Sequence, residues 1–436
     1  MVKDMLLEFL ANLKFFLKRL RLKEKIRTKI AVWHVFGNPS ARLKIVGVTG
    51  TKGKTTTTTL LYRIAIALGY KAGLIGTVEN MINGESIPTT FTTPEPRELY
   101  GLLNRMAREG CEWVFMEVSS HGVDQGRIAG LSFYGGVFTN LTHDHLDYHK
   151  TFENYFEAKK KFFRTLSSHA FALANADDPY GPRILEDIKA HKYSYGFPAR
   201  NAFSTADAGG ENPADFTGQI NQLNFEGLTI KAGSDVLRSE LLGKFNAYNV
   251  LAVWSVCRLL GFDMVKVKKI LESVKPPRGR FEHFTSPGGV LVVVDYAHSP
   301  DSLEKIITAV KEVKDKEGKL ISVFGCGGDR DSLKRPKMGK IGASGSDIAI
   351  FTTDNPRSED PEKILEDMKT GLTQDELQKV QTIVNRREAI LAGVKLAESG
   401  DILLVAGKGH ETYQEVKGVR SHFDDLEELR HAFSES

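Results

Sequence analysis

The chain has 436 residues, enough for two to four domains at roughly 150 residues each. Its 41% hydrophobic and 26% charged residues exclude wholesale disorder, a collagen-like repeat and a multi-span membrane protein. The formal net charge of +4 is concentrated: residues 1–30 hold nine Lys and Arg side chains against Asp4, Glu8 and Glu24, and the other 406 residues sum to −2. An excess confined to one arm gives no reason to expect a nucleic-acid partner. Three distant cysteines (Cys111, Cys257, Cys326) without CxxC spacing argue against a disulfide framework and for a reducing, cytoplasmic setting.

In chain order, Leu6, Leu10, Leu13, Leu17 and Leu20 recur at spacings of four and three between basic residues, which predicts a basic amphipathic helix over 5–30. Such a helix can pack on its own protein or lie on an anionic membrane surface as a peripheral contact. Glu8 and Lys14 interrupt the leucines, so neither a membrane span nor a signal peptide is expected. Asn38-Pro39-Ser40 breaks the pattern ahead of a buried-strand signature at 43–48. Short apolar strands (114–118, 136–140) then alternate with helical stretches to about residue 280, the pattern of a mostly parallel sheet covered by helices. A polar patch around 200–240 reads as a small β-rich insertion. After Lys275-Pro276-Pro277-Arg278-Gly279 a second α/β block follows, with strands expected at 290–295, 320–324 and 402–406. The expected architecture is an N-terminal basic helical arm (1–42), a central P-loop, mostly parallel sheet domain (43–279) and a C-terminal Rossmann-like α/β domain (280–436).

The strand ending at Val48 runs into Thr49-Gly50-Thr51-Lys52-Gly53-Lys54-Thr55-Thr56 and then into a helical stretch. Glycines let backbone N–H groups close around phosphate oxygens at a helix N-terminus, Lys54 can reach the β/γ-phosphates, and the Thr55 hydroxyl can bind Mg²⁺. The common pattern G-x-x-x-x-G-K-[ST] would place glycine where Val48 stands, so this loop is a variant with Gly47, Gly50 and Gly53.

Glu117 ends a predicted strand, where ligands of open α/β sheets gather, and can hold a second side of the Mg²⁺. His143, His145 and His149 with Asp144 and Asp147 invite a zinc reading, but the upstream phosphate loop makes an oxygen-ligated Mg²⁺ site more coherent. Most of these side chains then act as hydrogen-bond partners. By spacing alone, Lys159 reads as ordinary helix surface.

In these residues the chain resembles the Mur ligase family, in the branch that adds the third amino acid to the peptidoglycan precursor. The match runs from about residue 43 to the C-terminus through TGTKGKTTT, TTP (92–94), MEVSSHGVDQGR, FTNLTHDHLDYH, YFEAK, NADD, FNAYN, GRFE, DYAHSPDSL, FGCGGDRD, DNPR and GKGHE. The resemblance implies an ATP-dependent amide ligase of cell-wall synthesis, acting through an acyl phosphate on a muramoyl-L-alanyl-D-glutamate acceptor. It implies two Mg²⁺ ions, one at Thr55 and Glu117 and one at Glu117, His145 and Lys159, with Lys159 carbamoylated by CO₂. It carries ATP contacts onto Gly50, Thr51, Lys52, Gly53, Lys54, Thr55 and Thr56, with Asn249 at the adenine, Asp295 at the ribose and Arg280 near the phosphates. Acceptor recognition falls on Thr92, Thr93, Ser119, Gln125 and Arg127; amino-acid recognition falls on Arg330, Asp354, Asn355, Pro356, Arg357, Gly407 and Glu411. Arg357 favours meso-diaminopimelate, because a guanidinium can pair with the distal carboxylate that lysine lacks.

The chain departs from the family pattern in three places. Lys52 replaces a usual asparagine, Phe91 stands where an asparagine commonly precedes the two threonines, and about 42 residues precede the first strand, where family members carry an N-terminal domain of about a hundred. The expectation is that the usual UDP-binding handle is missing and that the central domain holds the acceptor. Two readings compete with the leading one: the same chemistry on a lipid-linked or other glutamyl acceptor, and a non-catalytic nucleotide-dependent membrane scaffold. Folylpolyglutamate synthase shares the broad architecture, but DNPR and GKGHE argue against it. A monomer is expected.

Overall fold

The computed structural model describes residues 38–197, 214–314 and 317–434. The expected basic helix over 5–30 lies outside the described residues. No described helix is long and apolar enough to cross a membrane. The described residues form two compact units, one comprising those up to Tyr195 together with Ser255–Asp263, the other Gly196–Trp254 together with those from Met264 onward.

In the first unit, six parallel strands and two antiparallel edge strands run in the order β8 (His191–Gly196), β7 (Phe171–Asn175), β6 (Gly135–Phe138), β1 (Lys44–Thr49), β5 (Trp113–Glu117), β2 (Ala72–Ile75), β3 (Asn80–Ile82), β4 (Glu85–Ile87). The central β1 is apolar on both faces: Ile45, Val46 and Val48 are fully buried. That is how a parallel strand covered by helices reads in sequence, each such side chain contributing about 1.5–3 kcal/mol through burial. Val48 stands where the common loop pattern has glycine because the strand continues through it. It pairs in register with Glu117 on one side and Val137 on the other. The carboxyl ends of the three central strands therefore bring together the phosphate loop, Glu117 and the 139–149 segment.

In the second unit, β9 (Phe216–Asn224), β10 (Gly227–Ala232) and β11 (Asp235–Ser239) form an antiparallel meander, in agreement with the β-rich reading over its described part, 214–240; residues 200–213 lie outside the described residues. A second sheet runs β12 (Glu282–Thr285), β13 (Leu291–Asp295), β17 (Ile402–Ala406), β14 (Leu320–Cys326), β15 (Ile348–Thr353), β16 (Val380–Thr382) and is parallel except at β12. The three strands expected from sequence are β13, β14 and β17. A hairpin of β18 (Tyr413–Val416) and β19 (Val419–His422) follows. Arg386, fully buried, is held bidentately by Asp425 (2.7 Å twice) and donates to Thr353 O (3.4 Å) and Ala406 O (3.0 Å). It thereby ties the carboxyl ends of β15 and β17 to each other.

Candidate active site

The phosphate loop is clamped by the segment after β6. Thr51 N donates to Asn140 O (2.9 Å), Lys52 N to Asn140 Oδ1 (2.9 Å), and the hydroxyl of Thr139 and the amide of Asn140 both donate to Lys52 O (2.6 and 3.1 Å). A Cβ on Gly50 would fall 1.9 Å from Thr139 Oγ1, so only glycine lets the loop close on this clamp. Gly53, at φ 84°, is the N-cap of the helix Lys54–Ala67 and supplies no capping side chain. No side chain caps the first turn of that helix, the arrangement in which a helix N-terminus can take an anion. Lys54 Nζ curls back onto Gly50 O (2.8 Å) and Thr51 O (3.0 Å), while Thr55 and Thr56 are buried in the first turn.

Lys159 corrects its surface reading. It is 1% exposed, its Nζ donates to the same Gly50 O (2.8 Å), and it stands 4.4 Å from the Tyr155 ring centroid. Burial first, and then the neighbouring Lys54 cation, pull its pKa well below the ordinary lysine value. Spacing could not show this, because the helix Phe152–Arg164 buries Tyr155, Phe156, Phe162 and Phe163 as well as Lys159 and Lys160.

Glu117, 1% exposed, accepts from Thr77 N (2.8 Å) on one oxygen and Thr77 Oγ1 (2.9 Å) on the other. Thr77 Oγ1 in turn accepts from the Thr92 hydroxyl (3.0 Å). His145 adopts a left-handed conformation (φ 53°) and packs edge-on against His121 (4.9 Å) and Tyr155 (6.0 Å). Its pKa is pulled down to about 4, by desolvation first and also by Lys54, His121 and Lys159, with Asp144 opposing. A neutral imidazole has a lone pair to offer. The last histidine of the run, His149, hydrogen-bonds Ser120 Oγ (2.9 Å) and stacks on Tyr155. Among the described residues no three His, Cys, Asp or Glu side chains form a metal-binding group. The hard oxygens on Thr55 and Glu117 suit a Mg²⁺ ion that substrate phosphates help to hold, and not an all-protein cage.

The expected acceptor residues meet in one network. Thr93 Oγ1 donates to Glu117 O (2.9 Å) and accepts from Ser119 N (2.9 Å). Arg127 grips Gln125 Oε1 through Nε (2.9 Å) and NH2 (2.6 Å), donates to Thr93 O (2.8 Å) and pairs with Glu95. Phe91, one of the departures, lies against the Arg127 guanidinium (4.7 Å to its centroid) with 46% of its surface exposed. Lys52, another, reaches toward Asp144 (3.8 Å).

In the second unit the expected residues again stand at strand ends. Asp295 closes β13, its Oδ2 accepting from Phe281 N (2.8 Å) and its carbonyl from Gly407 N (3.1 Å). Arg280 lies over Tyr296 (5.0 Å). A Cβ on Gly279 would fall 2.2 Å from the backbone of Gly409 and His410, so the GRFE and GKGHE loops touch main chain to main chain. Asn249, buried in the helix Lys244–Leu259, donates to Asn246 Oδ1 (2.9 Å). Asn355 Nδ2 donates to Glu411 Oε2 (2.9 Å), while Pro356 and Asp354 are buried beside it. Arg357, at φ 52°, donates through NH1 to Gly328 O (2.7 Å), whereas Arg330 is exposed on the loop after β14. Sequence reasoning missed Thr77, His121, Tyr155, Lys408 and Arg386. Of these, His121, Tyr155 and Lys408 lay inside recognised motifs, where a signal existed.

Residues 48–257 match the Mur ligase middle domain and residues 279–409 the Mur ligase, glutamate ligase domain, so nearly every strand end described above falls within one or the other, and the chain belongs to the Mur ligase family. Within that family it is 49% identical over 399 residues to the UDP-N-acetylmuramoyl-L-alanyl-D-glutamate--2,6-diaminopimelate ligase of Parabacteroides distasonis, covering 92% of this chain and 79% of that one. A solved structure of a ligase of the same name is 35% identical with a TM-score of 0.65, over 90% of this chain and 78% of that one. The folylpolyglutamate synthase of Thermotoga maritima has a TM-score of 0.67 at 16% identity, over 88% of this chain and 90% of that one, a likeness of fold alone.

Proposed function

We propose that this chain is an ATP-dependent, ADP-forming ligase that joins meso-diaminopimelate to the D-glutamyl carboxylate of UDP-N-acetylmuramoyl-L-alanyl-D-glutamate in peptidoglycan precursor synthesis. The acceptor carboxylate attacks the γ-phosphate and ADP leaves; the amine of the amino acid then attacks the acyl carbon, losing a proton, and phosphate leaves. Two anions must approach each other in the first step, so the site has to supply positive charge and exclude water.

The observation that carries the reading is Lys159, buried and hydrogen-bonded to the first carbonyl of the phosphate loop. A structural turn has no use for a buried amine with a depressed pKa. An amine that readily loses its proton can add CO₂ and become a carboxylate-like anion. In this reading Lys54 and the Gly50–Thr56 loop hold the ATP phosphates, and Asn249, Asp295 and Arg280 serve the adenine, ribose and phosphates. Thr55 and Glu117 hold one Mg²⁺, and Glu117, His145 and carbamoylated Lys159 hold the other. Those ions, when bound, neutralise phosphoryl and carboxylate oxygens. Thr77 keeps both Glu117 oxygens oriented. Thr92, Thr93, Ser119, Gln125 and Arg127 bind the acceptor, the last pre-ordered by Gln125 and Glu95. Arg330, Asp354, Asn355, Pro356, Arg357, Gly407 and Glu411 take the amino acid, with the guanidinium on its distal carboxylate.

The test is ADP release that requires both the D-glutamyl acceptor and meso-diaminopimelate and disappears in Lys54→Ala. Release that ignores the amino acid would defeat the ligase reading.

A further inference from the structure

Lys408 lies between the two glycines of GKGHE, and no role was expected of it. Its side chain is 0% exposed. The Nζ donates to Asn355 Oδ1 (3.2 Å) and Glu411 Oε2 (3.3 Å) and stands 3.6 Å from Asp354 Oδ1 and 5.5 Å from the Tyr413 ring centroid. All three oxygens belong to residues that the proposed function gives to the incoming amino acid.

Asn355 is the node of this arrangement. Its Oδ1 accepts from both Lys408 and Glu415 N (2.9 Å), and its Nδ2 donates to Glu411 (2.9 Å). Asp354 is different. It is 8% exposed, yet its Oδ1 is buried without a hydrogen-bond partner, and at 3.6 Å Lys408 is too far to supply one. Two carboxylates thus share one buried cation, which bonds to Glu411 and leaves Asp354 with an open acceptor. An unsatisfied buried carboxylate oxygen is costly and is retained where something else comes to satisfy it.

We propose that Lys408 is a positioning residue for the diamino acid: it fixes Asn355 and Glu411 in place and leaves Asp354 Oδ1 to receive an ammonium group of the substrate. The inference rests on the amino-acid-ligase reading. Lys408, Asp354 and Glu411 together carry one net negative charge, which a substrate ammonium brings to neutrality. Without it, Glu411 and Asp354 repel each other in a poorly solvated space and the pocket loses its shape.

The experiment uses the full chain and its Lys408→Met, Lys408→Arg and Lys408→Met/Glu411→Gln variants, with kcat and KM measured for ATP, acceptor and meso-diaminopimelate alongside melting temperature. The expected result is a rise of about 10- to 100-fold in the KM for the diamino acid in Lys408→Met, with the other two KM values within about twofold. The double variant should regain part of the melting temperature, because Asp354 is then the one carboxylate of the pair left opposite an apolar group, but not the KM. Should Lys408→Met fail to fold, Lys408→Arg and the double variant carry the same KM comparison. A diamino-acid KM that stays unchanged while the melting temperature drops would make Lys408 a structural strut and overturn the inference alone. Absence of amino-acid-dependent ADP release in the unsubstituted chain would overturn the ligase reading and this inference with it.

Discussion

The region around Lys159 and the region around Lys408 each enclose a lysine almost completely, and they surround it with opposite charges. Lys159 meets a carbonyl, a tyrosine ring and the Lys54 cation; Lys408 meets Glu411, Asn355 and Asp354. Burial that is uncompensated pushes an amine toward its neutral form, whereas burial among anions makes it a fixed counter-charge. The same residue type is thereby fitted to chemistry in one place and to architecture in the other. The supports differ too: neutral Thr139 and Asn140 clamp the phosphate loop, whereas the buried Arg386–Asp425 pair joins the carboxyl ends of β15 and β17, next to the proposed amino-acid residues.

The sharpest way to break this comparison is to replace each lysine with methionine. Lys159→Met should lower the rate of ADP formation by at least about 10²–10³-fold and, in CO₂-depleted buffer, raise the melting temperature. The unfolded state holds a proton on Lys159 more tightly than the folded state does, so this group opposes folding below its unfolded pKa, and the opposition fades as pH rises toward that value. Lys408→Met should instead lower the melting temperature. Equal shifts of the same sign would erase the distinction. In Lys159→Ala, partial recovery of activity with an added short carboxylic acid would support the carbamate.

Arg386→Met should cost about 3–5 kcal/mol in denaturant unfolding, since it leaves Asp425 charged and alone in the core. A loss under about 1 kcal/mol would show that the pair does not hold the pocket strands. Arg357→Ala should raise the KM for meso-diaminopimelate by the loss of a charged hydrogen bond, about 1.5–3 kcal/mol, and narrow the preference over lysine. An unchanged preference would move the specificity pocket elsewhere.

A smaller effect is expected from His410, whose pKa burial lowers to about 4, with Arg280, Arg278 and His298 adding repulsion. The unfolded state protonates first as pH falls, so stability should decline from about pH 6.5 toward pH 4, and His410→Gln should flatten that slope in melts at pH 7 and 5. The smallest is Phe91→Asn, which removes a cation–π contact of about 0.5–1 kcal/mol from Arg127. The acceptor KM should change by only a few fold, and a larger change would mean that the ring touches the acceptor itself.

Much of this contrast was legible in the sequence on one side and little of it on the other. The phosphate loop reads directly because its chemistry is local: a strand, glycines at the turn and a Lys-Thr pair at a helix start are consecutive residues. β1, β5 and the three later strands were found because strands buried on both faces are runs of apolar residues. Spacing alone misread Lys159, which the family resemblance assigned to the site, because helical spacing places it among other charged residues and only packing against the loop shows which face is covered. Lys408 escaped attention because its partners are 53 residues before it and three after it.

By itself the sequence determined which groups the chain brings to the reaction and the order in which strands and helices present them, since both follow from residue type and short-range periodicity. Only the tertiary structure decided the protonation tendencies and pairings of those groups. These depend on how much water remains around an amine and which charges stand within a few ångströms of it, and such distances are set by strand register and helix packing between residues far apart in the chain.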